Sequence, residues 1–219
     1  MKEKVAIIGA GGFGREVLDI FEACNNQRNA WNILGFVDDN PQIQGQRIRG
    51  YPVLGGIAWF SKPEAKEVKA VVAVGDNTVR KKIAEKAAKY GAKFCNIIHP
   101  SVIMTPHVKL GKGIIIAAGC IFTNEIQIEN HVIINLDVTV GHDTLIENFV
   151  NLNPGVHING TNKILEGAYV GSGVVTTQKI SIGKWSIVGA GAVVVNDIPE
   201  KVVAVGVPAK PIRSVEEAE

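Results

Sequence analysis

The chain has 219 residues, 46% of them apolar and 20% charged, the profile of an ordinary globular protein with room for one large domain or two small ones. That composition excludes disorder, collagen and coiled coil as descriptions of the whole chain. With 23 basic side chains against 21 acidic ones, the net charge of +2 is too even to hold the protein on nucleic acid or an anionic membrane by charge alone.

The N-terminal stretch MKEKVAIIGAGG turns glycine-rich before its apolar run reaches signal-peptide length. No stretch approaches the ~18 unbroken apolar residues of a membrane span, so a cytoplasmic protein with no membrane partner is expected. Lys4–Ile8 reads as a short buried strand, Gly9-Ala-Gly-Gly-Phe-Gly14 as a glycine-rich turn, and Arg15 to about Cys24 as a helix with Val17, Leu18, Ile20 and Phe21 toward a core. Ile33–Val37 makes a second strand that runs into Asp38-Asp39-Asn40-Pro41. Ala70–Val74 makes another, followed by Gly75-Asp-Asn-Thr78 and a helix through Lys89. Strands alternating with helices mean a small parallel α/β sheet, and residues 1–97 are read as a Rossmann-like domain.

Gly9-x-Gly11-x-x-Gly14 between strand and helix fits the dinucleotide-binding pattern, with Asp38 or Asp39 where an acid would meet a sugar hydroxyl. Packing alone also explains such glycines. The sheet is about half of a full dinucleotide domain, so a mononucleotide or a nucleotide-sugar suits it better than a nicotinamide cofactor. This first region carries 15 basic and 10 acidic residues, a bias that agrees with an anionic ligand, although Arg80-Lys-Lys82 is equally a solvated helix face.

From Ile98 to Val194 the chain has a period of six. Every sixth residue, from Ile98 through Met104, Leu110, Ile116 and Phe122 to Val188 and Val194, gives seventeen positions, fourteen of them Ile, Leu or Val. A second small or β-branched residue follows four places later, as in Val102, Cys120, Val138 and Thr144, with turn formers between. Six is neither the helical period nor a plain alternation; it calls for a short strand and a tight corner, repeated. Residues 98–219 are therefore read as a parallel β-solenoid of between five and six triangular coils with a C-terminal tail. Cys24, Cys95 and Cys120 are odd in number and widely spaced, which argues against disulfides or a zinc cluster and for core positions in a reducing compartment.

The hexad pattern resembles the hexapeptide-repeat, left-handed β-helix acyltransferases. The hand follows from the resemblance alone, since crossovers between parallel strands are normally right-handed. Gly9-Ala-Gly-Gly-Phe-Gly14, Val37-Asp-Asp39, Val74-Gly-Asp-Asn-Thr-Val-Arg80, Gly141-His-Asp143 and Val205-Gly-Val-Pro-Ala-Lys210 together resemble a narrower group. These are the sugar O- and N-acyltransferases typified by sialic acid O-acetyltransferase and the bacillosamine-type enzymes that acetylate nucleotide-linked amino sugars. The resemblance implies that the first domain holds a nucleotide-amino sugar, that the solenoid holds acetyl-CoA, and that the chain is a homotrimer with active sites between neighbours. Outward apolar residues such as Ile115, Ile133 and Leu145 would suit such flat faces.

Acyl transfer to an amine or hydroxyl asks for a base, and His142, in the turn after Val140 with Asp143 beside it, is the candidate. By resemblance that pair is the base and its acidic helper. His99 precedes Pro100 at the domain junction, His107 and His131 fall in turns without an adjoining carboxylate, His157 falls inside a coil, and no two histidines have metal-ligand spacing, so no metal is expected. The family's acetyl-CoA contacts fall on Asn151, Ser172, Gly173 and Ala190, and its nucleotide-sugar contacts on Gly11, Gly12, Phe13, Asp38, Asp39 and Gly75. Asn151 and Phe13 stand where relatives carry histidine; an amide at 151 can still donate to a thioester oxygen. The expected activity is N-acetylation of a UDP-linked 4-amino sugar by direct transfer, without an acyl-enzyme on the buried Cys120. The other readings are sialic acid O-acetylation and a non-catalytic trimeric scaffold or sensor.

Overall fold

The computed structural model describes residues 2–215, which fall into two compact units, one running to Pro100 and the other starting at Ser101. The first contains β1 (Glu3–Ile8), α1 (Gly12–Arg28), β2 (Trp31–Val37), β3 (Lys69–Val72), α2 (Asn77–Lys89) and β4 (Lys93–Phe94). These four strands form one parallel sheet in the order β2-β1-β3-β4, beside a separate antiparallel pair, Arg47–Ile48 with Tyr51–Pro52. In β1 the four successive residues Val5 to Ile8 are buried, the continuous apolar run of a central parallel strand covered on both faces. Helix α1 turns Val17, Leu18 and Phe21 into the same core. It begins at Gly12 and ends at Arg28, longer at both ends than its sequence suggests. Glycine is a poor helix former, but here contact with the preceding loop overrides propensity: a Cβ on Gly14 would lie 2.1 Å from the Gly9 carbonyl oxygen.

The second unit is a β-solenoid whose two-residue strands stack as three parallel sheets. One face, named here for Asn151, stacks Ile115–Ile116, Ile133–Ile134, Asn151–Leu152, Tyr169–Val170 and Ile187–Val188. The next, named for Thr139, stacks Ile103–Met104, Ile121–Phe122, Thr139–Val140, His157–Ile158, Val175–Thr176 and Val193–Val194. The third, named for Leu145, stacks five strands from Lys109–Leu110 to Ser181–Ile182. Each pairing joins residues eighteen apart, such as Ile121 to Thr139, so three hexads close one coil. The hexad residues point inward, where Val140, Ile146, Leu152 and Ile158 are at most 2% exposed. A two-residue strand has no stability alone; coil upon coil, each such side chain contributes about 1.5–3 kcal/mol of apolar burial.

From Gly113 to Gly191 each corner turns on a left-handed residue three places after the inward position, with φ of 56° at His131, 57° at Asp143, 60° at Phe149 and 55° at Trp185, and glycine at several others. The interior is not wholly apolar. Thr176, the one hydroxyl in the hexad series, accepts the Asn159 N–H at 3.0 Å and meets the buried Asn162 amide at 2.6 Å, so the exception to the pattern is satisfied internally. Val202–Val205 continues the Asn151 face and pairs antiparallel with Lys210–Ser214. Two outward positions need correction. Ile115 and Ile133 are 1% and 2% exposed within the single chain, so they are not available to a neighbouring copy. Among the described residues, no helix is long and apolar enough to cross a membrane.

Stacking makes the corner glycines unequal. Gly167 has φ of 67°, and a Cβ there would come within 2.3 Å of the Trp185 ring, whereas at Gly191, with φ of 70°, it would meet nothing within 4 Å. Both alanine variants carry backbone strain, but only Gly167→Ala also overpacks. It is expected to lose about 1–3 kcal/mol more than Gly191→Ala, measured by denaturant unfolding.

Candidate active site

At the carboxyl ends of the parallel strands, β1 lies between β2 and β3, and the chain order reverses between β1 and β3. Such a switch point opens a crevice between two strand-to-helix loops. The glycine loop follows β1, and its glycines divide into two kinds. Gly9 and Gly14 are packed: a Cβ on Gly9 would lie 2.8 Å from the Ala73 carbonyl oxygen. Gly11 faces open space and Gly12 has only an Arg15 terminal nitrogen at 3.9 Å, so a ligand can approach the backbone there. Gly11 caps α1 without a side-chain hydrogen bond, leaving the first-turn N–H groups, Phe13 among them, to an outside acceptor. Helix α2 differs, since the Asp76 carboxylate already accepts from the Val79 N–H at 2.8 Å.

The two aspartates after β2 are both engaged. Asp38 accepts from the Ala10 N–H at 2.9 Å and the Asn40 N–H at 2.9 Å, tying the glycine loop to β2. Asp39 accepts from the Ile57 N–H at 2.8 Å and from Lys86 at 2.7 Å. Partial burial opposes ionisation of Asp39, but these bonds outweigh it and hold the carboxyl below the usual carboxylate range. Gly75, in the β3–α2 loop, again has open space where a Cβ would be. Arg80 corrects the reading of its segment as a solvated face: it is 1% exposed, and its guanidinium donates to the Val74 carbonyl at 2.9 Å and the Gly75 carbonyl at 3.2 Å. Nothing in the alternation of charges announces a buried arginine.

In the solenoid, His142 and Asp143 occupy the edge between the Thr139 and Leu145 faces. The His142 Nδ1 lies 2.8 Å from Asp143 Oδ2; an ionised carboxylate only accepts, so a neutral ring paired with it donates from Nδ1 and has its lone pair on Nε2. The left-handed backbone at Asp143 swings its carboxylate back toward the preceding ring. Backbone rungs hold the pair from both neighbouring coils: the Asp143 N–H donates to the Asn124 carbonyl at 3.1 Å, and the His142 carbonyl accepts from the Thr161 N–H at 2.7 Å. The imidazole lies where a side chain on Gly160 would be, its Nε2 2.6 Å from that Cβ position. Gly160 stands eighteen residues after His142, one coil on, and that spacing is the signal by which the sequence could have pointed to it.

The other histidines have other partners. His131 is buried and stacks on Phe149 with centroids 5.1 Å apart, and the exposed His157 meets the Thr139 hydroxyl at 2.8 Å. His107 does have a carboxylate beside it, Glu125 at 3.5 Å, which a search of adjoining residues misses because the partner comes from the next coil. Among the described residues no group of His, Cys, Asp and Glu could hold a metal ion. Ser172, Gly173 and Ala190 lie on stacked corners between the Asn151 and Thr139 faces, where the Gly191 N–H donates to the Ser172 carbonyl at 2.8 Å. Asn151 is on the Asn151 face itself, 4% exposed, with an Oδ1 that has no hydrogen-bond partner among the described residues. The fold thus separates Asn151 from the His142 edge. Burial pushes the Cys120 thiol up to about 11, which removes it as a nucleophile.

GDP-perosamine N-acetyltransferase of Escherichia coli O157:H7 is 30% identical to this chain over 186 residues, 84% of this chain and 82% of that protein. The chain belongs to the hexapeptide-repeat sugar acetyltransferases. Residues 4–87 match the family model described as the PglD N-terminal domain. UDP-N-acetylbacillosamine N-acetyltransferase of Bacillus subtilis is 34% identical over 125 residues, 53% of this chain and 52% of that one. The crystal structure of PerB from Caulobacter crescentus in complex with CoA and GDP-perosamine superposes with a TM-score of 0.87 at 34% identity, covering 95% of this chain and 97% of that one.

In this acetyltransferase the bed under the imidazole is testable by itself. Gly160→Ala is expected to displace the exposed ring and break its contact with Asp143. Changed His142 resonances in a histidine 1H–15N spectrum, with Tm altered by less than about 2 °C, would report this.

Proposed function

We propose that the protein transfers the acetyl group of acetyl-CoA to the amine of a nucleotide-linked amino sugar, a UDP-linked 4-amino sugar in the finer reading, with His142 as general base. The observation that carries this is the exposed imidazole–carboxylate pair held on backbone rungs, in a chain whose relatives bear the names of such acetyltransferases. As the amine attacks the thioester carbonyl it becomes acidic, and the His142 Nε2 accepts its proton. The amide C–N bond forms, the C–S bond breaks, and the imidazolium returns the proton to the departing thiolate. Asp143 fixes the tautomer and offsets the positive charge that develops on the ring. Transfer is direct within a ternary complex, and no step calls for a metal.

The nucleotide-sugar reading assigns the diphosphate to the uncapped start of α1, at Gly11, Gly12 and Phe13, with Gly75 on the other wall of the crevice. Asp38 and Asp39 then shape that site, since both hold neighbouring backbone. On the solenoid, the small residues Ser172, Gly173 and Ala190 give acetyl-CoA close access to backbone groups. The burial of Asn151 supports a role in shaping the chain rather than in touching the thioester. One face of six residues spans at most about 20 Å, so the acetyl-CoA edge of one chain lies a full face away from its own His142. A second copy bringing its edge to His142 resolves this, and exposed Ile103, Ile121 and Leu136 suit such a contact. The assembly in this reading is a homotrimer; light scattering should give about three chain masses, and a stable monomer would count against it.

His142→Ala is expected to lower turnover by ~10²–10⁴-fold with little change in assembly, and Asp143→Asn by less, in a thiol-release assay. Near-normal turnover in His142→Ala would end the proposed mechanism. The amine reading also predicts at least ~100-fold higher kcat/KM for a UDP-linked amino sugar than for free sialic acid, about 2.7 kcal/mol of transition-state discrimination. A panel including GDP-linked amino sugars decides the nucleotide, and a preference for sialic acid would reassign the chain to O-acetylation.

A further inference from the structure

Among the described residues, Arg80 heads the largest fully buried side chains. A guanidinium is seldom buried without a purpose that outweighs its desolvation, and burial here pulls its pKa down to about 9 against the opposing effect of Asp76. Three of its bonds fall on one short segment. The side chain takes the carbonyls of Val74 and Gly75, and its own backbone N–H takes the carbonyl of Asp76 at 2.8 Å. The last of these is the ordinary first hydrogen bond of α2, while the first two turn successive carbonyls of the β3–α2 loop toward the guanidinium.

In a trans peptide the N–H of each residue points opposite to the carbonyl before it. Drawing the Val74 and Gly75 carbonyls toward Arg80 therefore turns the N–H groups of Gly75 and Asp76 the other way. Neither N–H has an acceptor among the described residues. They sit at the place where Gly75 leaves open space, beside the glycine loop that Gly9 packs against Ala73 and Val74. We infer that Arg80 is a positioning residue for nucleotide-sugar binding: it holds the β3–α2 loop so that the Gly75 and Asp76 amides face the crevice and donate to an oxygen of the ligand's diphosphate. This rests on the nucleotide-sugar reading above.

A charge role and a positioning role separate in the variants. Arg80→Lys keeps the charge but cannot fork to two carbonyls, Arg80→Met removes both, and Lys82→Ala removes one exposed charge from the same helix. Titration of the full chain with UDP, GDP, uridine and guanosine should show both Arg80 variants binding the preferred diphosphate at least ~10-fold more weakly. The matching nucleoside, the KM for acetyl-CoA and the Lys82→Ala variant should each change by less than about twofold. Arg80→Lys binding the diphosphate as the unaltered protein does would overturn the inference. Amide exchange on the unaltered protein needs no substitution: the diphosphate, and not the nucleoside, should slow Gly75 and Asp76, and no slowing would also overturn it. If the unaltered protein binds none of the four, this inference and the nucleotide reading fall together; diphosphate binding with unchanged variants sinks the Arg80 role alone.

Discussion

The solenoid depends on the parallel stacking of residues eighteen apart. A hexad cannot bury its inward residue alone, so each coil is stable only because the coils above and below cover it, and the register is held by rungs such as Thr139 N–H to the Val156 carbonyl. A slip of one residue would turn every inward aliphatic outward. That constraint decides where chemistry can sit: the inward positions are committed to packing, and function is left to the corners and the outward residues. His142 and Asp143 are corner residues of that kind, and the left-handed turn that closes the corner at Asp143 is what brings carboxylate and ring together.

The same stacking makes some residues matter through their absence of a side chain. Gly160 leaves room for the His142 ring and Gly167 for Trp185, each one coil away from the group it accommodates. Rigid rungs beneath the pair give a proposed base that is exposed yet fixed in direction, as proton transfer during acyl attack requires. The polar rung of Asn159, Asn162 and Thr176 lies on the coil next to that edge and is internally bonded.

In the first unit the comparable constraint is close approach of loop to helix. Gly9 and Gly14 permit it and are consumed by it, while Gly11, Gly12 and Gly75 remain open. The acidic groups are likewise allocated: Asp38 to the glycine loop, Asp39 to Lys86 and the Ile57 turn, Asp76 to the start of α2. What stays uncapped is the start of α1, and Arg80, the one buried Lys or Arg among the described residues, bonds the loop carbonyls beside it.

Much of this was legible in the order of residues. Two periods, one of alternating strands and helices and one of six, determine a small parallel sheet followed by a solenoid, because each repeats the burial requirement of its own element. Adjacent residues such as His142 and Asp143 were equally legible, since their contact is local. Relations between coils were not. The carboxylate beside His107, the bed that Gly160 makes and the burial of Ile115 and Ile133 depend on which atoms lie against one another across stacked coils. Arg80 shows the same limit in the sheet: its charge reads as surface until the loop carbonyls that receive it are placed by folding. Hydrophobic periodicity reports which face a residue takes, and only the tertiary structure decides what covers that face.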